Sequence, residues 1–324
     1  MSSFTTARAS SAPDRVPRFH DVEDAARRIA GTVRRTPVLT NDAIDRQCRG
    51  GVHFKCENLQ RGGSFKLRGA TNAVSHLREM PNVTGVLTHS SGNHAAALAI
   101  AAAAHDLPAW VVMPSDAAPS KIRAVLDHGA QLTTCAPDFA AREEVAAALL
   151  AETGAAFVDS HDDPWVIAGQ ATAALELALE VADLEIVLVP VGGGGLIAGT
   201  VIALSQLAPR CEVIGCEPAG ADDAFRSLAE GRRITEFVPR TIADGLRTPL
   251  GMMTFEIMRR HVRRVLRVEE SDIQEAMRTV WERLKLVIEP SSAVAVAPLL
   301  DGAIDISGRR VGVILSGGNV GIPG

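Results

Sequence analysis

The sequence predicts an α/β protein built on two open, doubly wound, mostly parallel sheet domains, and three observations predict it. First, "AWVVMP" (109–114), "EIVLVPV" (185–191), "CEVIGCEP" (211–218) and "RVGVILSGG" (310–318) are near-continuous runs of Val, Ile and Leu. That is the pattern of parallel strands covered on both faces. Second, helical stretches of about ten to fifteen residues separate such runs, as in βαβ units. Third, turns rich in Gly, Ser and Asn follow the strands, where open α/β sheets take their ligands.

Each element reads in order. "GVLTHSS" (85–91) is a short strand and turn, and "NHAAALAIAAAAH" is a helix. "AWVVMP" ends at Pro114, and "SKIRAVLDHGA" is a helix closed by Gly129. "QLTTCAP" (131–137) is a strand, "FAAREEVAAALLAETG" a helix, and the strands at 185, 211 and 310 follow. No internal repeat or low-complexity linker divides the chain, so subdomain limits rest on the order of elements. The 324 residues suit one large domain or two ordinary ones.

Composition excludes several classes. A net charge of −5 without a long basic run disfavours nucleic acid and anionic membranes as partners. No apolar run approaches the ~20 residues of a membrane helix. Residues 1–18 lack the apolar core of a secretory signal and read as a disordered tail, with a transit peptide as the alternative. Five scattered cysteines without a C-x-x-C pair point to a reducing compartment and away from structural zinc.

The chain holds only four lysines against 29 arginines. One of them, Lys66, stands in "SFKLRGA" beside Phe65. Arg keeps its proton near neutral pH, whereas a desolvated Lys becomes a nucleophilic amine. In "VPVGGGGLIAGT" a strand runs into Gly192, Gly193, Gly194 and Gly195 and then a helix near Leu196. Such a curled backbone at a helix start turns N–H groups toward an anion, and neither a Walker lysine nor G-x-G-x-x-G is present. A cofactor phosphate suits it better than a hydrolysed nucleotide, and a plain strand–helix turn is the bland alternative. "HSSGNH" places Ser90, Ser91, Asn93 and His94 at a helix start, fit for a substrate carboxylate or for ordinary capping. "ILSGGN" sets Ser316 at a strand end, where its hydroxyl could meet a ring nitrogen or merely belong to a β-turn. "CEPAGADDAF" holds Glu217 and Asp223 in one loop, hard oxygen donors for a divalent cation or a solvated acidic loop. A reactive Lys, a phosphate cradle, a carboxylate site and a ring-nitrogen partner together are the parts of a pyridoxal phosphate (PLP) site.

These pieces, with "FKCENLQRGGSFKLRGA", "IAGQATAALEL", "IADGLRTPLG" and "LVIEPSSAVAVA", run from about residue 20 to 320. The chain resembles the fold-type II PLP enzymes (tryptophan-synthase-β-like), in particular the serine/threonine dehydratase and serine racemase group. The resemblance implies a large PLP-binding domain from 19–75 and 162–324 and a small mobile domain from 76–161. Lys66 would hold PLP as a Schiff base, with Phe65 against the ring. Gly192 to Gly195 would take the phosphate, Asn93 the ring hydroxyl and Ser316 the pyridine nitrogen, with Glu289 near the cofactor. Ser90, Ser91, Asn93 and His94 would surround the substrate carboxylate. Arg142, His161 and Thr248 would approach the substrate, His161 standing where relatives often carry Asn or Tyr. Glu217, Asp223 and the Ala221 carbonyl would bind Mg²⁺, Mn²⁺ or Ca²⁺.

The implied reaction is dehydration of an L-β-hydroxy amino acid to a 2-oxo acid and ammonia. Serine and threonine, or bulkier threo-3-phenylserine or threo-3-hydroxyaspartate, are the candidate substrates. Lys66 would take the α-proton, and the cofactor phosphate would protonate the leaving hydroxide. A serine or hydroxyaspartate racemase, with Ser91 as second-face acid/base, is one alternative, and a non-enzymatic Rossmann-like binding module is another. The expected form is a cytoplasmic homodimer. Ala96 replaces a Gln of the relatives, and Arg61 and Gly62 replace residues that bind ATP in animal serine racemases. ATP activation is therefore not expected, and the substrate pocket could be wider.

Overall fold

A computed structural model describes residues 15–90 and 92–321. Ser91, assigned above to catalysis, and residues 1–14 of the expected tail lie outside them.

Two sheets organise the chain. The larger has the order β1-β2-β10-β7-β8-β9. Its strands are β1 (Val38–Leu39), β2 (Gly51–Cys56), β7 (Ile186–Pro190), β8 (Glu212–Pro218), β9 (Val265–Val268) and β10 (Arg310–Leu315). Only β1 runs antiparallel, paired with β2. The smaller sheet, β5-β4-β3-β6, is parallel throughout. It comprises β3 (Val86–His89), β4 (Ala109–Pro114), β5 (Gln131–Cys135) and β6 (Ala156–Phe157). Open, doubly wound α/β architecture is thus the fold, as the sequence predicts. The expected strand starting at 185 occupies Ile186–Pro190, and that at 310 occupies Arg310–Leu315.

Burial explains the continuous apolar runs. All five residues of β7 are buried, because helices cover both faces of its sheet. One core packs Phe54, Leu188 and Val313 beneath helix Glu270–Leu284. The other packs Val187, Val189 and Ile314 against helices Pro164–Glu180 and Gly195–Leu207. Close helix approach needs small residues: a Cβ on Gly199 would stand 2.7 Å from Ile167 O, and one on Gly169 2.6 Å from Arg68 O. Leu67, Ala70, Val74 and Leu77 of helix Lys66–Arg78 join the core of the smaller sheet, so this helix packs with both bodies.

One ionic cluster fixes that helix. Arg68, fully buried, grips Glu57 with Nε and Nη2 at 2.7 and 2.8 Å. It reaches Glu176 with Nη1 and Nη2 at 2.7 and 2.8 Å. Lys55, also fully buried, donates to Glu176 and to Thr36 O at 2.6 Å each. Two cations meet two carboxylates, so the cluster is formally neutral. Buried charges are tolerated when paired and hydrogen-bonded in this way.

Candidate functional site

The site gathers at the carboxyl ends of the strands. Lys66 opens its helix, half-buried, with Nζ donating to Ser160 O at 2.7 Å. Burial lowers its pKa to about 8, and the nearby Glu289 carboxylate opposes that drop. A desolvated ammonium loses the solvation that favours its charge, so a neutral amine is accessible near neutral pH. The ammonium stands 5.2 Å from the centre of the Phe65 ring.

The glycine loop follows β7. No acceptor of the described residues takes the amide N–H of Gly192, Gly193 or Gly194, and Gly195 begins a helix, whose first N–H groups have no partner within it. Gly194 has φ +88°, a left-handed conformation that L side chains rarely adopt. A Cβ on Gly193 would come within 2.7 Å of His161 Nδ1, and one on Gly195 would lie 3.0 Å from His161 Cα. Positions 193 and 195 are therefore glycine because His161 presses against them. The loop is braced behind by Thr254 Oγ1 donating to Gly193 O at 2.7 Å.

The second wall crosses between the sheets. Asn93, at the start of helix Asn93–Ala104 after β3, donates to Glu289 Oε1 and Oε2 at 2.9 and 3.0 Å. Asn319 Nδ2 donates to Asn93 Oδ1 at 2.9 Å and to Gly62 O at 2.8 Å. Burial pushes the Glu289 carboxyl up to about 7, against the Asn93 hydrogen bonds. Ser316 follows β10, its hydroxyl 3.1 Å from that of Ser292. Ser90 Oγ accepts from Gly92 N at 3.3 Å. His94 is buried with Nε2 3.3 Å from Val158 O, and burial lowers its pKa to about 3, so the ring is neutral.

Glu217 and Asp223 form a separate carboxylate pair. Glu217 accepts from Ala224 N and Phe225 N at 2.9 and 2.8 Å, at the head of helix Asp223–Glu230. Asp223 Oδ2 accepts from Leu250 N at 3.0 Å, whereas its buried Oδ1 has no partner. Burial raises both carboxyls, Asp223 to about 7. Ala221 is buried in the intervening turn. Leu250 ties this pair to the glycine loop, since its Cδ2 would lie 2.8 Å from a Cβ on Gly194.

Two expected residues stand apart. Thr248 is exposed. Arg142 lies in the first turn of helix Phe139–Thr153 with a buried Nε that has no hydrogen-bond partner. No hydrogen bond among the described residues links the Arg142 or Thr248 side chain to Lys66, Asn93 or the glycine loop. Ala96 shares a helix face with Ile100, and a Cβ on Gly62 would stand 2.7 Å from Ile100 Cδ1. That face meets the Arg61–Gly63 turn.

Residues that the sequence reading missed include Ser160, which acts through its backbone carbonyl, and Asp159. Asp162 was missed too; it caps helix Met252–His261 by accepting from Met252 N and Met253 N at 2.9 Å. Asn319 lay in the "SGGN" motif without a role. The side-chain pattern signals none of the three loop residues.

The residues fit a phosphorylated aldehyde cofactor. Free loop amides suit a phosphate, a desolvated amine suits the aldehyde, and the Ser316 hydroxyl, able to donate or to accept, suits a ring nitrogen. Residues 29–317 match the family described as "Pyridoxal-phosphate dependent enzyme". The beta-hydroxyaspartate dehydratase of Paracoccus denitrificans is 45% identical over 305 residues, 94% of this chain and 97% of that protein. The L-threo-3-hydroxyaspartate ammonia-lyase of Saccharomyces cerevisiae is 42% identical over 306 residues, 94% of each chain. The crystal structure of serine racemase from Dictyostelium discoideum superposes with a TM-score of 0.90 at 42% identity, covering 94% of this chain and 99% of that one.

Proposed function

The chain belongs to the pyridoxal-phosphate dependent enzyme family, and from that premise we propose that it dehydrates a β-hydroxy amino acid, threo-3-hydroxyaspartate in particular, to a 2-oxo acid and ammonia. The observation that carries the reading is the Lys66 amine, desolvated to a pKa of about 8 and held by Ser160 O beside a loop of free amides. The relatives named for hydroxyaspartate favour that substrate over serine.

Lys66 and the amides of Gly192–Gly195 would hold PLP, with Phe65, Asn93, Glu289 and Ser316 around its ring. When bound, PLP supplies an aldehyde that condenses with amino groups and a ring that draws electrons from the substrate α-carbon. Lys66 Nζ takes the α-proton, a task suited to an amine whose pKa lies near the working pH. Ser90, Asn93 and His94 receive the α-carboxylate at the helix start, where N–H groups and the helix dipole favour an anion. Arg142 and Thr248, which stand apart from the Lys66 amine, would reach the distal end of the substrate on closure of the small unit. A divalent cation (Mg²⁺, Mn²⁺ or Ca²⁺) binds Glu217, Asp223 and the Ala221 carbonyl, and steadies the glycine loop through Leu250. We divide the chain into a large unit (19–75 and 162–324) and a small one (76–161), a division supported by the confinement of β3–β6 to the second. Lys121 of the small unit pairs with Asp244 of the large one across the seam. The working form we propose is a cytoplasmic homodimer.

Ammonia release and 2-oxo acid formation, screened over threo-3-hydroxyaspartate, L-serine, L-threonine and threo-3-phenylserine, test the proposal. Turnover is expected to be greatest on hydroxyaspartate, and absence of ammonia from all four would refute it. Racemisation is the second reading, favoured by the serine racemase likeness. It requires an acid opposite Lys66, the role assigned to Ser91, and D-product separates it from dehydration.

A further inference from the structure

The loop after β6 carries an imidazole with more chemistry than contact alone requires. His161 Nδ1 lies 3.3 Å from Asp159 Oδ1 and 2.9 Å from Ser160 Oγ. The backbone N–H groups of His161 and Asp162 both donate to Asp159 Oδ1, at 2.8 and 2.9 Å, which locks the carboxylate under the ring. The ring also packs on the phosphate cradle at Gly193, and the preceding carbonyl, Ser160 O, holds Lys66 Nζ. Imidazole, amine and free amides are thus joined through consecutive residues of one loop.

We propose that His161 is the proton donor to the departing β-hydroxyl and that Asp159 is its positioning residue. The role rests on the dehydratase reading above. Cleavage of the Cβ–O bond leaves its electron pair on oxygen, and hydroxide is a poor leaving group near neutral pH. Imidazolium at His161 gives one proton to that oxygen, so that water departs. Lys66 has already taken the α-proton and later gives it up to solvent while His161 regains one, so the net change is loss of water across Cα–Cβ. The reaction implied by the family resemblance assigns this proton to the cofactor phosphate. Amide donors around a phosphate stabilise its dianion and lower its pKa, so little of it still carries a proton to give near neutral pH. A carboxylate beside an imidazole does the reverse and favours the protonated ring. Among the described residues, the titratable groups near His161 include Asp159 on its own loop, Lys66 across Ser160, and His94, which burial keeps neutral.

The test uses a leaving group that needs no proton. Holoenzyme and its His161→Asn and His161→Gln variants are assayed on threo-3-hydroxyaspartate and on β-chloro-L-alanine, whose chloride departs unaided. The ratio of hydroxyl to chloride turnover should fall about 10²-fold or more in both variants, the usual range for losing a general acid. An unchanged ratio, whether both rates fall together or neither falls, overturns the proposal. NMR titration of His161 in the apoprotein supplies a readout apart from turnover: Asp159→Asn should lower the imidazole pKa, and no change would remove Asp159 from the mechanism. Wild-type enzyme that processes β-chloroalanine but no hydroxy amino acid would overturn the dehydratase reading itself, and this role with it.

Discussion

Asn93 and Glu289 face each other across the seam between the two sheets, the amide donating to both carboxylate oxygens at 2.9 and 3.0 Å. The pair links the first turn after β3 to the segment preceding β10, and it stands near the Lys66 amine.

Glu289 should impose a pH dependence on stability. Its folded-state carboxyl titrates at about 7, above the 4.5 of the ordinary group, because burial disfavours its charge. The folded state therefore binds a proton that the unfolded chain has lost. The contribution is full below about 4.5 and disappears as pH rises through about 7. Glu289→Gln removes this dependence, so the wild-type minus variant difference in unfolding free energy of the apoprotein should change by about 3 kcal/mol between those limits. A difference independent of pH would show that the carboxyl is ionised throughout.

Lys66 should be the most reactive lysine in the apoprotein. With a pKa near 8 it carries far more free amine at neutral pH than an exposed lysine does. Competitive acylation followed by mass spectrometry should give its titration directly, and borohydride reduction of the holoenzyme should fix PLP on the same residue. Lys66→Ala should lose at least ~10³ in turnover. Label on Lys55, Lys121 or Lys285 would sink the assignment.

A divalent cation should bind with proton release. Asp223 titrates at about 7 and Glu217 is also raised, so binding at neutral pH displaces protons from one or both. Calorimetry in buffers of different ionisation enthalpy counts the protons, and affinity should rise with pH through about 7. At 100 times its dissociation constant the ion should add about 2.7 kcal/mol of stability. Asp223→Asn should abolish both effects, and an unchanged melting temperature after exhaustive chelation would exclude the site.

Ala96 should not set substrate size. Its helix face meets the Arg61–Gly63 turn, through the approach of Ile100 to Gly62. Ala96→Gln is expected to leave the turnover ratio of threo-3-phenylserine to L-threonine within about twofold, since less than 0.5 kcal/mol of differential binding is at stake. A selective loss on phenylserine would place Ala96 in the pocket after all.

The fold was legible where burial was uniform. β4, β7, β8 and β10 run through sheets covered on both faces, and their Val/Ile/Leu content announces this. β1 and β6 are two residues each and β9 four, too short to show a period, so register alone defines them. Lys66, the glycine loop and Asn93 were legible because a few residue types meet their chemical demands. Ser160 was not, since every residue has a carbonyl. Asp159 and Asp162 were lost among the acids of "DSHDDP", where only folding separates an imidazole partner from a helix cap.

The neutral cluster of Arg68, Glu57, Glu176 and Lys55 has a consequence for how this enzyme can change. Each partner is held by the others rather than by water, so losing one strands an opposite charge in the interior, at a cost of about 3–5 kcal/mol. The four can be replaced as a set but hardly in single steps, and Arg68→Lys would surrender the fork that grips two carboxylates. The loop Asp159–Asp162 meets the same helix through one backbone carbonyl at Ser160, and a carbonyl is indifferent to side-chain identity. A change of leaving group can therefore act on the loop while the helix under Lys66 stays fixed, and directed evolution aimed at β-substituents that leave without a proton would begin at His161, whose imidazole such substrates no longer need.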